Sequence, residues 1–210
     1  MWVARAARAR YLADRYPATR AILLFYAELA DWQGTAATRR LSPDQALPEL
    51  AELVRRTGPP DLARAASGLT GLPDLDAPPP GSFFALAARQ PTAACGTAHR
   101  PPQAGCLETL GEGQALRLVC SLCLGRWDSP RLRCPACGEA GEGGVILYSA
   151  PEFPHVQIQA CETCHAYLQL VDLTREPAAI PEVDELAGLP LDLWAEEHGY
   201  HKIHPNLAGI

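Results

Sequence analysis

The sequence lacks any run of about 20 apolar residues, the length that a membrane-spanning helix requires. We therefore expect no membrane span. The first ten residues carry three arginines and lead into no apolar core of the kind that a secretory signal peptide has. These absences favour a reducing, cytoplasmic setting, in which closely spaced cysteines bind metal more often than they form disulfides.

Positive charge is scarce in the second part of the chain. Residues 92–210 hold 7 Lys plus Arg against 15 Asp plus Glu, a formal charge of −8. Nucleic-acid binding needs a basic face that neutralises phosphates, so we expect no nucleic-acid partner. The sequence also shows no nucleophile paired with a base, no phosphate-cradling glycine loop and no paired-carboxylate motif. We therefore predict that the protein is not an enzyme.

What the sequence does contain is three Cys-x-x-Cys pairs within 45 residues: Cys120/Cys123, Cys134/Cys137 and Cys161/Cys164. Two residues between cysteines let both thiolates face one ion, and two such knuckles complete a four-sulfur shell. The 23 residues between Cys137 and Cys161 allow a strand, a turn and a return strand. The spacing therefore predicts one metal site formed by Cys134, Cys137, Cys161 and Cys164. A disulfide framework or a thiol-exchange pair is the alternative.

The remaining pair needs ligands from upstream. Cys95 precedes Cys120 by almost the same gap, with 24 residues between them, which predicts a second ribbon in tandem. The position three residues before Cys95, where a knuckle needs its other cysteine, is Thr92. Cys106 or His99 is the candidate fourth ligand, and an incomplete or empty site is the other possibility. A shell of four cysteines suits iron or zinc equally, so we expect one or two ions of either metal. Such a closed shell is structural or carries electrons, since no position is open to substrate.

The fold class predicted from these patterns is α+β. Apolar residues at helical spacing in Tyr16–Gln33, a capping sequence at Ser42 with Gln45, and a short segment at Asp61–Leu69 predict N-terminal helices. Tandem rubredoxin-like or zinc-ribbon modules of antiparallel strands follow, with strands over Leu116–Cys120 and His155–Cys161. A short C-terminal helix then packs on the body, with the acids of Glu182–Glu197 on a solvated face.

The domain limits follow from changes in composition. Residues 1–90 form the helical part, with a hinge rich in proline and glycine near 71–82. The metal ribbons occupy 91–175, and 176–210 is the C-terminal segment.

At this level of detail the sequence resembles the formate dehydrogenase accessory (formation) protein family, the FdhE-like proteins. The resemblance rests mainly on the order Cys120-x2-Cys123-x3-Trp127-x3-Arg131-x2-Cys134-x2-Cys137-Gly138, then Tyr148, then Cys161-x2-Cys164-x2-Tyr167-Leu168. It continues through Asp184, Leu186, Leu191-Asp192, Glu197-x-Gly199-Tyr200 and Asn206, and upstream through Ala21-x3-Phe25-Tyr26 and Gln33. Thr92 departs from the family pattern of four knuckles.

The resemblance implies a cytoplasmic, chaperone-like protein that binds the catalytic subunit of a formate dehydrogenase during its maturation. It also implies rubredoxin-type iron at the cysteine knuckles. The alternative function is a rubredoxin-like electron-transfer or thiol-redox protein with no dedicated partner. Trp127 and Arg131, between the two ribbons, are candidates for partner contact, and their alternative is local packing and a salt bridge.

Overall fold

The computed structural model describes residues 1–67, 101–121 and 124–210. They divide into two compact units, one of residues 1–67 with 207–209 and one of 101–206 with 210. The division into 1–90, 91–175 and 176–210 stays a prediction. Two of the sequence features, the hinge near 71–82 and the end of the helix predicted over Asp61–Leu69, lie outside the described residues. Within them, no helix combines the length and the hydrophobicity needed to cross a membrane.

The first unit is helical, as the sequence predicts. Its helices are α1 (Trp2–Arg15), α2 (Arg20–Arg39), α3 (Pro43–Thr57) and α4 (Pro60–Ser67), with a 3-10 turn at Pro17–Thr19. Four residues of the predicted apolar stripe are buried in α2: Ile22, Phe25, Tyr26 and Leu29. The helix begins four residues later than predicted and extends to Arg39, while α1, which packs on α2, was not predicted.

Helix α3 begins where its capping sequence indicates. The Ser42 backbone N–H donates to the Gln45 side-chain oxygen at 3.1 Å, the return bond of a capping box. Since the first four N–H groups of a helix have no partner inside it, this sequence satisfies donors that would otherwise be lost to solvent. The helix continues through Pro48 without a break.

The second unit is built on a seven-stranded sheet. Its strands are β1 (Pro102–Leu110), β2 (Gly113–Cys120), β3 (Arg126–Ser129), β4 (Val145–Ser149), β5 (Val156–Cys161), β6 (Ala166–Asp172) and β7 (His201–Lys202). The order across the sheet is β3-β2-β1-β6-β5-β4, and β7 pairs with β6. Both strands predicted from alternation are present. The segment Leu116–Cys120 lies in β2, and the segment His155–Cys161 contains β5.

The tandem arrangement predicted from the cysteine gaps is visible in the pairing. Strands β1, β2 and β3 pair antiparallel in chain order, and β4, β5 and β6 repeat this pattern. The two ribbons are not separate, because β1 and β6 pair in parallel and join them into one sheet. Gly105 lies at this junction, where a Cβ atom would stand 2.5 Å from Leu170 Cδ2. Absence of a side chain lets the two strands approach.

One face of the sheet carries an apolar cluster of Leu107, Leu116, Leu118, Leu168 and Leu170, with Trp127 and Ile203 packed against it. The C-terminal segment forms two short helices, α5 (Pro181–Ala187) and α6 (Leu189–Glu197), instead of one. Helix α5 contacts β1 and β6, and α6 contacts β5 and β7.

The sequence predicts that the acids of this segment lie on a solvated face. That prediction is wrong for most of them. Glu182, Asp184, Glu185 and Asp192 are all buried. Lys202, the single lysine of the sequence, donates to Asp192 at 2.8 Å and lies 2.6 Å from Glu185. A buried cation thus holds two carboxylates from different helices, which stabilises them away from water.

Candidate metal centre

The residue that follows each Cys-x-x-Cys pair makes the same backbone hydrogen bond. In each, the N–H of the residue after the second cysteine donates to the carbonyl of the first: Leu124 to Cys120 at 3.1 Å, Gly138 to Cys134 at 2.9 Å and His165 to Cys161 at 2.9 Å. These three residues have positive φ, at 59°, 82° and 55°. Only Gly138 adopts this conformation without steric cost, since a Cβ atom disfavours it.

Two of these knuckles face each other and bring four sulfur atoms together. The Sγ atoms of Cys134, Cys137, Cys161 and Cys164 all lie within 4.8 Å of one another. Sγ of Cys134 is 3.7 Å from Sγ of Cys164, and Sγ of Cys137 is 3.7 Å from Sγ of Cys161. A tetrahedral ion with sulfur at about 2.3 Å needs sulfur pairs about 3.8 Å apart. The donor set and its size therefore fit a metal ion, and the four thiols are free of disulfides.

The electrostatics of the cluster favour binding of a cation. Burial opposes ionisation of Cys161, but hydrogen bonds from the N–H groups of Cys164 and Thr163 and from the Cys137 and Cys164 thiols together lower the pKa of Cys161 to about 7. Burial raises the pKa of Cys164 to about 12, and the neighbouring thiols add to this shift. Burial also raises the pKa of Cys134. A cation bound by the four sulfurs would displace the protons that these thiols still hold.

Outside the sulfurs, a side chain joins the two knuckles. Glu139 follows the Cys134–Cys137 knuckle, and the Glu139 backbone carbonyl accepts from the Cys134 N–H at 2.8 Å. Its carboxylate accepts from the Thr163 hydroxyl, inside the second knuckle, at 2.8 Å. The same carboxylate accepts from the N–H groups of Ala140 and Gly141, which lower the pKa of Glu139. We call this contact the Glu139–Thr163 clasp.

Glu162, which precedes Thr163 in the Cys161–Cys164 knuckle, is hydrogen-bonded to a residue of the C-terminal segment. The Tyr200 hydroxyl donates to the Glu162 carboxylate at 2.5 Å and lies 3.1 Å from the Tyr148 hydroxyl. The His201 N–H donates to the His165 carbonyl at 2.8 Å, which ties β7 to the end of the knuckle. Ligand loops held in this way keep their sulfurs in place.

The remaining predicted ligands do not join this cluster. Cys120 is buried at the end of β2, opposite Pro102, and Cys106 is buried in β1, opposite Arg117. Since Arg117 and Cys120 are three residues apart on one strand, Cys106 and Cys120 point to opposite faces, separated along the strand by about 10 Å. Burial raises the pKa of Cys106 to about 11. Cys95, Cys123, His99 and Thr92 lie outside the described residues.

Trp127 and Arg131, the two candidates for partner contact, differ in their burial. Trp127 is half-buried against the leucine cluster, whereas Arg131 is exposed. Trp127 also lines a groove of about 670 Å³ beside the first knuckle, together with Leu118, Ile203, several prolines, Arg133 and Cys134.

Sequence reasoning missed the residues that hold the knuckles. Glu139 and Thr163 stand next to or inside the cysteine motifs, and neither carries a signal of its role. Tyr200 was noted only as part of the family resemblance, because its contact with Glu162 joins residues 38 positions apart.

Comparisons with known proteins agree on the second unit. Residues 132–208 match the family model described as FdhE, C-terminal domain. The Protein FdhE homolog of Pseudomonas putida is 33% identical over 165 residues, which are 75% of this chain and 48% of that protein. The Protein FdhE homolog of Aquifex aeolicus is 34% identical over 92 residues, which are 44% of this chain and 32% of that protein. The matched part of the chain thus spans 32% to 48% of the length of these curated relatives.

A solved structure agrees on the fold. The crystal structure of the FdhE protein from Pseudomonas aeruginosa superposes with a TM-score of 0.71, covering 99% of this chain and 94% of that one, at 22% identity. The α+β fold class, with N-terminal helices, a sheet carrying a four-cysteine cluster and a short helical C-terminal segment, is confirmed. The resemblance seen in the sequence is confirmed as well: the chain is similar to FdhE proteins, and its residues 132–208 match the FdhE C-terminal domain.

Proposed function

We propose that this protein is an assembly factor that binds the catalytic subunit of a formate dehydrogenase in the cytoplasm and has no catalytic activity of its own. The observation that carries the proposal is the position of the four-cysteine cluster. All four sulfurs come from residues 134–164, inside the segment that matches the FdhE C-terminal domain. The cluster therefore lies within the part of this chain that is similar to FdhE proteins.

In this proposal Cys134, Cys137, Cys161 and Cys164 hold one ion, iron first and zinc as the alternative. Four thiolates leave no open position, so the ion fixes the two knuckles relative to each other or passes single electrons. The clasp between Glu139 and Thr163 supports the fixing role, since it joins the same two loops without contacting an ion. The resulting surface is rigid enough to present to a partner.

A second ion at Cys95, Cys120 and Cys123 stays part of the proposal. The opposite faces occupied by Cys106 and Cys120 speak against Cys106 as its fourth ligand. His99 is therefore the better candidate of the two, and an incomplete site is the remaining alternative.

Partner contact is proposed at the groove beside Trp127. Its lining combines half-buried Trp127, several prolines and Arg133, next to the Cys134 knuckle. Aromatic and arginine side chains are enriched where proteins recognise one another. Arg131, exposed at the rim, is the second proposed contact.

The test is a binding measurement between the tagged full chain and the purified catalytic subunit of a formate dehydrogenase. The native chain is compared with Cys134→Ser/Cys161→Ser, and Cys106→Ser serves as the matched control because Cys106 lies outside the cluster. We expect the native chain and the control to retain the subunit and the double variant to lose it. Equal retention by all three would remove the metal centre from the binding role, and no retention by the native chain would refute the proposal.

A rubredoxin-like electron carrier is the second candidate, and one observation favours it. Cys137 is exposed whereas Cys134 and Cys161 are buried, so the centre lies nearest the surface on the side of Cys137. Electrons could enter an iron ion from this side. Redox titration of the iron-loaded chain tests this function: a reversible one-electron transition with an unchanged protein fold supports it, and failure to cycle excludes it.

A further inference from the structure

Among the described residues, no strand pairs with the outer side of β4. Strand β4 pairs with β5 on one side, and it stands last in the strand order of the described residues. The Glu162 N–H donates to the Gly144 carbonyl, which makes Gly144 and Glu162 a hydrogen-bonded pair of the antiparallel ladder. Hydrogen-bonded and non-bonded pairs alternate along such a ladder. The backbone groups of Ile146 and Tyr148 therefore face β5, and those of Val145, Leu147 and Ser149 face outward.

This edge lacks the usual protection against pairing. Edge strands of stable proteins commonly carry lysine, proline, a bulge or an inward charge. The sequence of β4 is Val-Ile-Leu-Tyr-Ser, with no charge and no proline, and its pairing with β5 runs without a register shift. Leu147 is 37% exposed at the middle of the strand. Such an edge offers main-chain groups to an incoming strand, and alternate side chains can add specificity.

The charges around the strand decide which strand it can accept. Glu142 and Glu152 are exposed and lie five residues on either side of Leu147. Both residues lie in turns just outside β4. If a second copy paired antiparallel about Leu147, the turn carrying Glu142 of one copy would come next to the turn carrying Glu152 of the other at both ends, and like charges brought close together repel. The same two carboxylates attract a strand that carries a basic residue at each end. The Arg175 guanidinium lies nearby and donates to the Pro154 carbonyl. Its positive charge is already paired with Asp172.

We propose that β4 binds an extended basic segment of a client protein by strand addition. The segment has apolar side chains at alternate positions and a lysine or arginine at each end, near the turns that carry Glu142 and Glu152. Its place beside the metal centre follows from the register, because Val145 is paired with the ligand Cys161. The bound segment would extend the sheet next to the two knuckles.

This inference deepens the proposed function and rests on it, since a client subunit would supply the segment. The measurement uses no dehydrogenase subunit, so the two proposals fail separately. The probe is a fluorescein-labelled peptide as long as residues 142–152, with alternating valine and threonine at its centre and one arginine at each end. A second probe has glutamate at both ends. Fluorescence anisotropy with the metal-loaded full chain gives the affinity for each.

Two kinds of variant separate backbone pairing from other contacts. Leu147→Pro removes an outward N–H and spares the ladder to β5, since proline is tolerated where the N–H faces solvent. Leu147→Thr keeps the N–H and is its matched control. Glu142→Arg/Glu152→Arg reverses the flanking charge without touching the strand, so it tests the proposal even if the proline variant fails to fold.

We expect the arginine-flanked peptide to bind at least about tenfold more tightly than the glutamate-flanked one, and Leu147→Pro to weaken it by about tenfold while Leu147→Thr retains it. The charge-reversed variant should instead bind the glutamate-flanked peptide more tightly than the arginine-flanked one. Equal binding of both peptides, unchanged preference after charge reversal, or no binding of either peptide would overturn the proposal. A dimer seen by sedimentation that Leu147→Pro dissociates would overturn it as well, because a second copy would then occupy the edge.

Discussion

The Thr163 hydroxyl donates a 2.8 Å hydrogen bond to the Glu139 carboxylate and so joins the two knuckles that hold the four sulfurs. Residues that orient ligand loops commonly change metal affinity when they are removed. We expect Thr163→Val to release zinc faster, by about tenfold at most because the contact is exposed. Transfer of zinc from the loaded protein to an excess of a chromogenic chelator measures the rate. Thr163→Ser keeps the hydroxyl and should match the native chain, and equal rates for all three would show that the clasp plays no part.

Metal content should depend on the cluster and not on the isolated cysteine of β1. Cys161→Ser removes a ligand with a lowered pKa, so we expect it to lose the ion of this site. Cys106→Ser leaves the four-sulfur shell intact and should retain that ion. Elemental analysis of the purified proteins counts metal per chain. Loss of the same ion in the Cys106 variant would contradict the assignment.

Removing the buried cation should be costly. Lys202→Met leaves Glu185 and Asp192 buried without their partner, which we expect to lower the free energy of unfolding by about 3–5 kcal/mol. Urea denaturation of the metal-loaded proteins measures the change. Arg64→Met breaks an exposed ion pair with Asp61 and should change stability little. A loss of similar size in both variants would mean that burial does not set the cost.

The same cluster predicts a pH dependence. Burial raises the pKa of Glu185, and the nearby Asp192 carboxylate adds to this shift against the opposing effect of Lys202. The folded chain thus holds this proton more tightly than the unfolded chain, whose Glu pKa is about 4.3. Stability from this group is complete below that value and is lost as pH rises through the raised folded pKa.

Glu185→Gln removes this titration. We expect the native chain to gain stability relative to the variant as pH falls from about 8 towards about 5. Unfolding midpoints across this range give the difference, and Glu152→Gln, at the surface, is the control. A relative loss on acidification would show the opposite sign and contradict the shift.

Substitutions of Gly138 and His165, the residues that follow the two knuckles, should have opposite effects on the stability of the protein. Gly138→Ala places a Cβ atom at φ 82° and should cost about 1 kcal/mol of stability. His165→Gly relieves a side chain held at φ 55° and should be neutral or stabilising by up to about 1 kcal/mol. Thermal unfolding of the metal-free chains compares them. Destabilisation by both changes would mean that the His165 ring contributes more than its backbone costs.

The sequence was informative wherever a local pattern or a fixed spacing carries the structure. The gap between Cys137 and Cys161 leads to a hairpin of β4 and β5, and this hairpin brings the two knuckles together. The capping sequence at Ser42 begins α3 because its bonds are made within one turn.

What the sequence could not reveal depends on residues far apart in the chain. Glu185 and Asp192 look like ordinary surface acids of an amphipathic segment until Lys202 is placed between them. The parallel pairing of Gly105 with Leu170 has no local signal either, since either strand alone fits a separate ribbon.

That parallel junction also bears on the order in which the chain folds. Strands β4, β5 and β6 follow one another within 145–172, whereas Gly105 must find a partner 65 residues later. Contacts between distant residues form slowly, because loop-closure entropy is lost before they contribute. We therefore expect the cysteine-bearing hairpin to form early and the first ribbon to dock afterwards, so that metal capture precedes closure of the sheet.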